Sequence, residues 1–464
     1  MTNEATTAPR LHLPNNADCV PTSWVWSRLD NVCNGVFDCP HSTPQLTETG
    51  PFVVRTQDIL TGVFRREQSA RVSEATYTER IRRATPVSGD LLYSREGTYF
   101  GFAAEVPDHT KVCLGQRMVL IRPDSSRINH RFLRFWLNSP TMASHIHGYR
   151  DGTVAERLNL PTIRGLPIPL PPLAEQRAIA RVLGALDDKI ELNRRLNRSL
   201  EELAQAVFRR WFVDFDPVTA KASGRPPVGL DPATAALFPD HFQDSELGEI
   251  PKGWMQTKVG EETSLLMGFA FQSKFFTETP PGVRLARGDN VKEGEFYWDN
   301  KARYWPAVTS DLERYRLQRG DVLIGMDGSK VGKNWVRVRE SDLPCLLVQR
   351  VARLRANDSI GQHFITLLIG NPRFRDHVDG VKTGTSIPHI SGGQIQKYSF
   401  VRPPRNDNRL FARFEEIVDP WIRQTDQNHD ESRSLAAARD AMLPPLLSGE
   451  LRVKDAEKFL EKSL

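Results

Sequence analysis

The feature that most restricts how this 464-residue chain can fold is that it matches itself. Sliding the sequence by about 232 residues aligns one half with the other, the signature of a duplicated unit. Pro21-Thr-Ser-Trp24 answers Pro251-Lys-Gly-Trp254, and Arg55-Thr-Gln-Asp-Ile59 answers Arg287-Gly-Asp-Asn-Val291. Gly89-Asp-Leu-Leu92 answers Gly320-Asp-Val-Leu323, and Gln116-Arg117 answers Gln349-Arg350. Asn138-Ser-Pro140 lies against Gly370-Asn-Pro372, Gly152-Thr153 against Gly384-Thr385, and Pro171-Pro172 against Pro403-Pro404.

Each copy ends in a long helical stretch. Behind Pro167, Pro169, Pro171 and Pro172, which can launch a helix but not continue one, come roughly 40 residues rich in Ala, Leu, Glu, Arg and Gln. Leu173, Glu175 and Gln176 open it, and Ile179, Leu183, Leu186, Ile190, Asn193 and Asn197 continue a heptad seam that demands a helical partner. At ~1.5 Å per residue such a helix spans about 60 Å, a spacer's length. The second copy repeats the pattern through Phe411, Val418, Trp421, Thr425, Asn428, Ser432 and Leu435. Both seams turn polar at mid-length, and an antiparallel crossing would let Asn193 and Asn197 meet Thr425 and His429.

The organisation expected is a globular unit over 1–170, a spacer helix over 171–215, a linker over 216–244, a second globular unit over 245–404, a second helix over 405–450 and a tail over 451–464. The linker holds one short helix at Ala233–Leu237, and the tail is strand-like or helical and able to fold back toward the first copy. Each globular unit reads as an α+β domain of about 160 residues, enough for its own core. Strands are expected over Pro51–Ile59, Asp90–Tyr93, Tyr99–Ala103 and Arg117–Ile121, with Asn129–Leu137 and Asn159–Arg164 helical or extended. The second unit repeats the scheme over Val283–Arg287, Asp321–Ile324, Asn334–Val338, Val348–Leu354 and Gln362–Ile369.

Glycine turns bearing polar and basic residues interrupt the strands at matching points. Ser94–Tyr99 corresponds to Met326–Val331, and Gly148–Thr153 to Gly380–Ser386. Glycine lets a backbone approach a ligand, and Arg, Lys, Thr, Asn and Gln reach phosphates and base edges. The candidate contacts for phosphates and base edges are Arg55, Gln57, Arg65, Arg66, Arg95, Thr98, Tyr99, Arg150 and Thr153 in the first copy. In the second they are Arg287, Asn290, Ser329, Lys330, Lys333, Lys382, Thr385 and Ser386. Arg80, Arg82 and Arg83 are further candidates for phosphate. Equal placement with unequal residues suits two related but different targets. The net charge of +5 permits a polyanion partner without requiring one.

Other chemistries find little support. Gly328–Asn334 is one residue short of a phosphate loop and lacks its Ser or Thr. Asn371-Pro-Arg-Phe374 approaches a methyltransferase motif but carries Arg at the third position, with no Gly-rich cofactor loop. Cys19, Cys33, Cys39 and His41 lack the paired spacing of a zinc site, and five scattered cysteines suit a reducing compartment. No apolar run approaches the roughly 18 residues of a membrane span, so a cytoplasmic protein is expected.

Pro169-Leu-Pro-Pro-Leu-Ala-Glu-Gln-Arg-Ala-Ile-Ala180, opening the first helix, and Leu443-Pro-Pro-Leu-Leu-Ser-Gly-Glu-Leu451, closing the second, complete the pattern. The whole resembles the specificity subunits of type I restriction–modification systems, the HsdS family. The resemblance covers nearly all of the chain. It implies that each globular half is a target recognition domain reading one part of a bipartite double-stranded DNA target, with the helices setting the gap and docking two modification subunits. It further implies a chain that is not an enzyme and holds no cofactor or metal. S-adenosylmethionine, ATP and Mg would belong to the modification and the translocating, cleaving restriction subunits. The second helix opens Pro403-Pro-Arg-Asn-Asp-Asn408 where the first has Pro-Pro-Leu-Ala-Glu-Gln, which bears on equal docking of the two modification subunits. The alternative is a coiled-coil adaptor whose two similar heads bind proteins.

Overall fold

A computed structural model of the chain describes residues 11–15, 17, 20–97, 100–148, 157–246, 248–298, 301–384 and 388–463. The first copy contains strands β1 (Val25–Arg28), β2 (Cys33–Asp38), β3 (Thr47–Val54), β4 (Leu91–Ser94), β5 (Ala103–Glu105), β6 (Val112–Leu114), β7 (Met118–Pro123) and β8 (Pro167–Leu170). Its helices are α1 (Glu74–Arg80), α2 (His130–Leu137), α3 (Pro140–His147), α4 (Leu160–Arg164) and the 40-residue α5 (Leu173–Phe212). Two short helices, α6 (Asp216–Ala222) and α7 (Pro232–Ala236), and a hairpin of β9 (Phe242–Gln243) and β10 (Ile250–Pro251) follow.

The second copy runs β11 (Met255–Lys258), α8 (Val259–Glu262), β12 (Thr263–Met267), β13 (Val283–Ala286), β14 (Tyr304–Trp305), β15 (Val322–Gly325), β16 (Trp335–Arg337), β17 (Cys345–Leu347), β18 (Val351–Ala356), α9 (Gln362–Gly370), α10 (Pro372–Val381), α11 (Gly392–Gln396), β19 (Ser399–Arg402) and the 39-residue α12 (Arg409–Leu447). Helix α13 (Val453–Ser463) closes the chain.

The duplication seen in sequence is a duplication of topology. A four-stranded antiparallel sheet ordered β2-β7-β4-β5 in the first copy is ordered β12-β18-β15-β16 in the second. The parallel pair β3-β6 recurs as β13-β17, and the antiparallel pair β1-β8 as β11-β19. The central strands are buried on both faces, Leu91, Leu92 and Tyr93 in one copy and Val322, Leu323 and Ile324 in the other.

One device fixes the frame in both copies. Gly89 and Gly320 take φ of +88° and +92°, where a Cβ would be strained, and turn the chain into the central strand. The next residue is a buried aspartate. Asp90 accepts from the Val87 amide and from Arg122, and Asp321 accepts from the Gln318 amide and from Arg355. Each arginine therefore ties the neighbouring strand, β7 or β18, to the turn that precedes the central one.

The chain divides into two compact units, one of residues 1–191 with 432–464, the other of residues 192–431. Each holds part of α5 and part of α12. In the first unit Ile179, Leu183 and Leu186 share a core with Leu435, Met442, Leu443 and Leu446 and with the globular residues Phe132, Leu133 and Trp136. Arg134 and Arg439 both reach Asp187 at 2.7 Å, joining α2, α5 and α12. In the second unit Phe212 stacks on Phe411 at 5.5 Å and Phe208 meets Phe414, so rising numbers on one helix face falling numbers on the other. The pairing there is antiparallel, as the seams require. Helix α13 packs Ala456 into the core of the first unit, and Arg181 pairs with Glu457, which settles the tail as helical.

Several boundaries differ from the sequence reading. The expected strand over Pro51–Ile59 ends at Val54, because Asp58 accepts from the Arg55 amide at 2.8 Å and bends the chain into a 3-10 turn. Strand β5 begins at Ala103, where the expectation ended, and β18 begins three residues after Val348. The linker carries α6 as well as α7. Helix α12 opens at Arg409 rather than 405, with Asp407 accepting from the Arg409 amide.

Candidate nucleic-acid interface

In each copy the first nominated loop meets the segment that follows the second. Glu96 of the first loop bridges Arg157 beyond the second, and in the other copy Asp327 bridges His389. Backbone bonds close both junctions, Leu158 N to Arg95 O at 2.8 Å and Ile390 N to Met326 O at 2.9 Å. Segments some 60 residues apart in sequence thus meet beyond the end of the central strand, β4 or β15.

In the second copy the first of these loops borders a cleft of about 710 Å³. Arg287, Ser329 and Lys330 line it as nominated, together with Lys292, Asp327, Gln349, Arg350 and the aromatic residues Phe271 and Phe276. Ser329, Lys330, Gln349 and Arg350 are exposed. Lys330 pairs with Glu293 at 3.1 Å, and Arg287 with Asp289 at 3.1 Å. The Arg287 Nε is buried and has no hydrogen-bond partner among the described residues, an unspent donor at the cleft wall. Lys333 is exposed on the same loop. Lys382, at the end of α10, pairs with Asp379 at 2.6 Å, and that contact holds the aspartate below the usual carboxylate range.

Some nominated residues serve the fold instead. Asn290 is fully buried, its amide donating to the carbonyls of Tyr297 and Lys301 while its oxygen caps the Arg287 amide. It shapes the loop from within and cannot present a side chain to a groove. Arg80 is likewise buried, donating to the carbonyls of Leu114, Ser42 and Pro40. Gln176 is buried and accepts from the Asn129 amide while donating to Pro171 O, so it fastens α5 to α2 rather than facing a partner.

In the first copy Arg55 pairs with the buried Asp58, and Arg95 pairs with Asp38 at 3.1 Å. Gln57 and Arg82 are exposed, Arg65 and Arg66 half-buried, and Arg83 donates to the carbonyls of Asp38 and Cys39. Thr98, Tyr99, Arg150, Thr153, Thr385 and Ser386 lie outside the described residues.

Of the helix residues nominated for the seam, Ile179, Leu183, Leu186, Asn193, Phe411, Val418, Thr425 and Leu435 are buried, while Leu173, Glu175 and Ile190 are half-buried. The polar layer forms with one change of partner. Asn428 meets Asn197, Asn193 donates to Glu431 at 2.6 Å, and Asn197 donates to Thr425 O. His429 faces Arg339 of the globular part instead. The sequence reading missed Leu192, Leu196 and Leu203, which stand exposed along one face of α5.

The chemistries tested on the sequence resolve as structure. Gly328–Asn334 leads into strand β16, so it lacks the helix N-terminus that cradles phosphate. Asn371 is the N-cap of α10, accepting from the Arg373 amide. Cys33, Cys39, Cys113 and Cys345 are free thiols, and Cys19 lies outside the described residues. Burial pushes Cys33 up to about 12 and Cys113 up to about 11, so both stay protonated and unreactive at neutral pH. Among the described residues no cluster of His, Cys, Asp or Glu could hold a metal, and no helix is long and apolar enough to cross a membrane.

Fold and site together define a duplicated α+β protein whose copies carry equivalent loops around unequal residues and whose long helices pair. Residues 53–202 match the type I restriction modification DNA specificity domain. The chain is 31% identical over 175 residues to the EcoAI specificity subunit of Escherichia coli, a match covering 37% of this chain but only 29% of that one. The MjaIX specificity subunit of Methanocaldococcus jannaschii is 24% identical, covering 70% of this chain and 69% of that one. The HindI specificity subunit of Haemophilus influenzae is 22% identical, covering 78% and 86%. In three dimensions the chain is similar to the type I restriction–modification S subunit of M. genitalium, with a TM-score of 0.54 at 15% identity over 94% of this chain and 99% of that one. In sequence and in fold the chain is thus similar to the specificity subunits of type I restriction–modification systems.

Proposed function

We propose that the two globular halves each read one part of a bipartite double-stranded DNA target, and that the paired helices set the gap between the parts. The observation that carries this reading is the repeated loop junction. Glu96–Arg157 and Asp327–His389 are the same contact on the same sheet frame, yet the side chains around them differ. A frame repeated with unequal contact residues suits two different sequences of one kind of ligand. Exposed Lys333 supplies charge for phosphate, and the cleft lined by Arg287 and Arg350 supplies forked donors for base edges.

Two modification subunits, bringing S-adenosylmethionine for adenine methylation, are the proposed partners, joined by restriction subunits that use ATP and Mg. The exposed leucines Leu192, Leu196 and Leu203 favour a helix-to-helix contact on α5. The differing helix openings, Leu173-Ala-Glu-Gln176 against Arg405-Asn-Asp-Asn408, with α12 starting later, support unequal docking of the two copies.

Selection from a random duplex library by this chain assembled with its cognate modification subunits tests the reading. Enrichment of a split motif with a constant gap is the expected result. No enrichment would favour the protein-binding adaptor.

A further inference from the structure

Two arginines that hold the same unusual backbone in both copies are left unexplained by the fold. Arg117 and Arg350 take φ of +68° and +65°, the left-handed region where an L side chain is strained and Gly or Asn is the low-cost choice. The strain is not an accident of one loop, since it recurs at the equivalent residue. In each copy the carbonyl of this arginine accepts from the residue leaving the central strand, Arg95 N and Met326 N, both at 2.9 Å. The turn therefore needs the left-handed backbone, but nothing in the turn needs an arginine side chain there.

That side chain points outward. Arg117 and Arg350 have side chains 55% and 68% exposed. Each is paired with the acidic residue at the loop junction, Arg117 with Glu96 at 3.3 Å and Arg350 with Asp327 at 2.9 Å. Arg350 and Asp327 both line the second-copy cleft. A site meant only to hold phosphate gains nothing from a carboxylate beside its cation, which cancels the charge it relies on. A carboxylate does serve a guanidinium that must be aimed, because it fixes the plane of the fork and leaves other donors free. Strain retained at an exposed position in both copies is the pattern of a residue kept for contact rather than for stability.

We propose that Arg117 and Arg350 are base-reading residues, one for each half of the target, each oriented by its acidic neighbour to grip the O6 and N7 edge of a guanine in the major groove. The inference rests on the DNA-specificity reading and adds to it the residues and the base class. A phosphate-only role is the competing outcome.

The test uses the complex of full-length chain and cognate modification subunits, methylating a random duplex library with labelled S-adenosylmethionine, the methylated motif being read by sequencing. Arg350→Gly should relax one G·C position in one half of the motif, with discrimination there falling about ten- to a hundredfold, and leave the other half intact. Arg117→Gly should do the reverse. Neither variant should unfold earlier than wild type, because glycine adopts the left-handed turn without strain. Arg350→Lys keeps the charge but not the fork, and should relax the same position as Arg350→Gly. A wild-type motif left unchanged by all three variants would overturn the proposal. So would a uniform loss on every sequence that lysine rescues, which marks phosphate. A wild-type complex yielding no split motif would instead sink the DNA-specificity reading itself, and the two failures are thereby told apart.

Discussion

The side-chain amide of Asn428 donates to the side-chain oxygen of Asn197 at 2.7 Å, both residues being buried where α5 and α12 pair in the second unit. A polar contact in an otherwise apolar seam weakens packing but singles out one register, because a slipped pairing leaves both amides unsatisfied. Replacing either residue alone by Leu should destabilise that unit by about 1–3 kcal/mol, the cost of stranding the other amide. Replacing both should cost less than the sum of the single changes. Thermal unfolding of the four proteins of the cycle measures the coupling, and strictly additive losses would mean the contact does not select the register.

Asp426 of α12 receives Arg337, with Arg319 at 3.5 Å and Arg339 at 3.7 Å. The Arg337 side chain is only 9% exposed, so removing the carboxylate leaves a nearly buried cation without its counter-charge. Asp426→Ala should lower stability by about 3 kcal/mol, as for other broken buried pairs. Denaturant unfolding checks it, and a change below 1 kcal/mol would show that solvent already screens the cluster.

Glu262 and Arg402 form a fully buried ion pair at the base of the second globular part. Burial pushes the Glu262 carboxyl up, but hydrogen bonds from Arg402, Thr257 and Ser359 outweigh it and leave the group below its ordinary value. A carboxyl depressed in the folded state contributes stability that is whole above its unfolded value, about 4.3, and is lost as pH falls through the lower folded value. Glu262→Gln should therefore lower the Tm at neutral pH, with the gap to wild type narrowing below about pH 4 as the native carboxyl takes up its proton. An equal gap at pH 7 and pH 3 would contradict this.

Lys333 is exposed on the loop beside the cleft and suits a phosphate contact. Lys333→Ala should weaken every duplex alike and reduce the slope of log affinity against log salt by about 1. The measurement is a salt titration of binding by the assembled complex, and an altered motif at unchanged slope would reassign the residue to base reading.

Much of the frame was legible in the sequence, because duplication makes a pattern testable against its own copy. Gly89-Asp90 and Gly320-Asp321 were matched as sequence and prove to be one turn, its buried aspartate paired with an arginine of the next strand in the sheet. The seam residues were readable because apolar spacing reports which face is buried. The polar residues were harder. Asn290, Arg80 and Gln176 have the side chains of a DNA or subunit contact, yet their partners are backbone carbonyls and amides that only the folded chain brings within reach. Arg117 and Arg350 failed to stand out for the opposite reason. A left-handed backbone is announced in sequence by Gly or Asn, and here an arginine occupies it, so only the repeated Gln-Arg pair hinted that the place was special. His429 was misassigned by one residue on its helix, which turns a side chain about 100° away from the seam.

The central claim is that two unequal readers on one frame recognise two stretches of DNA a set distance apart. Methylome sequencing of the source cell, with and without the gene for this chain, tests it most directly. A methylated motif in two parts separated by a constant gap, present in the parent and absent after deletion, is the predicted result. A continuous motif, or a methylome indifferent to the deletion, would contradict it.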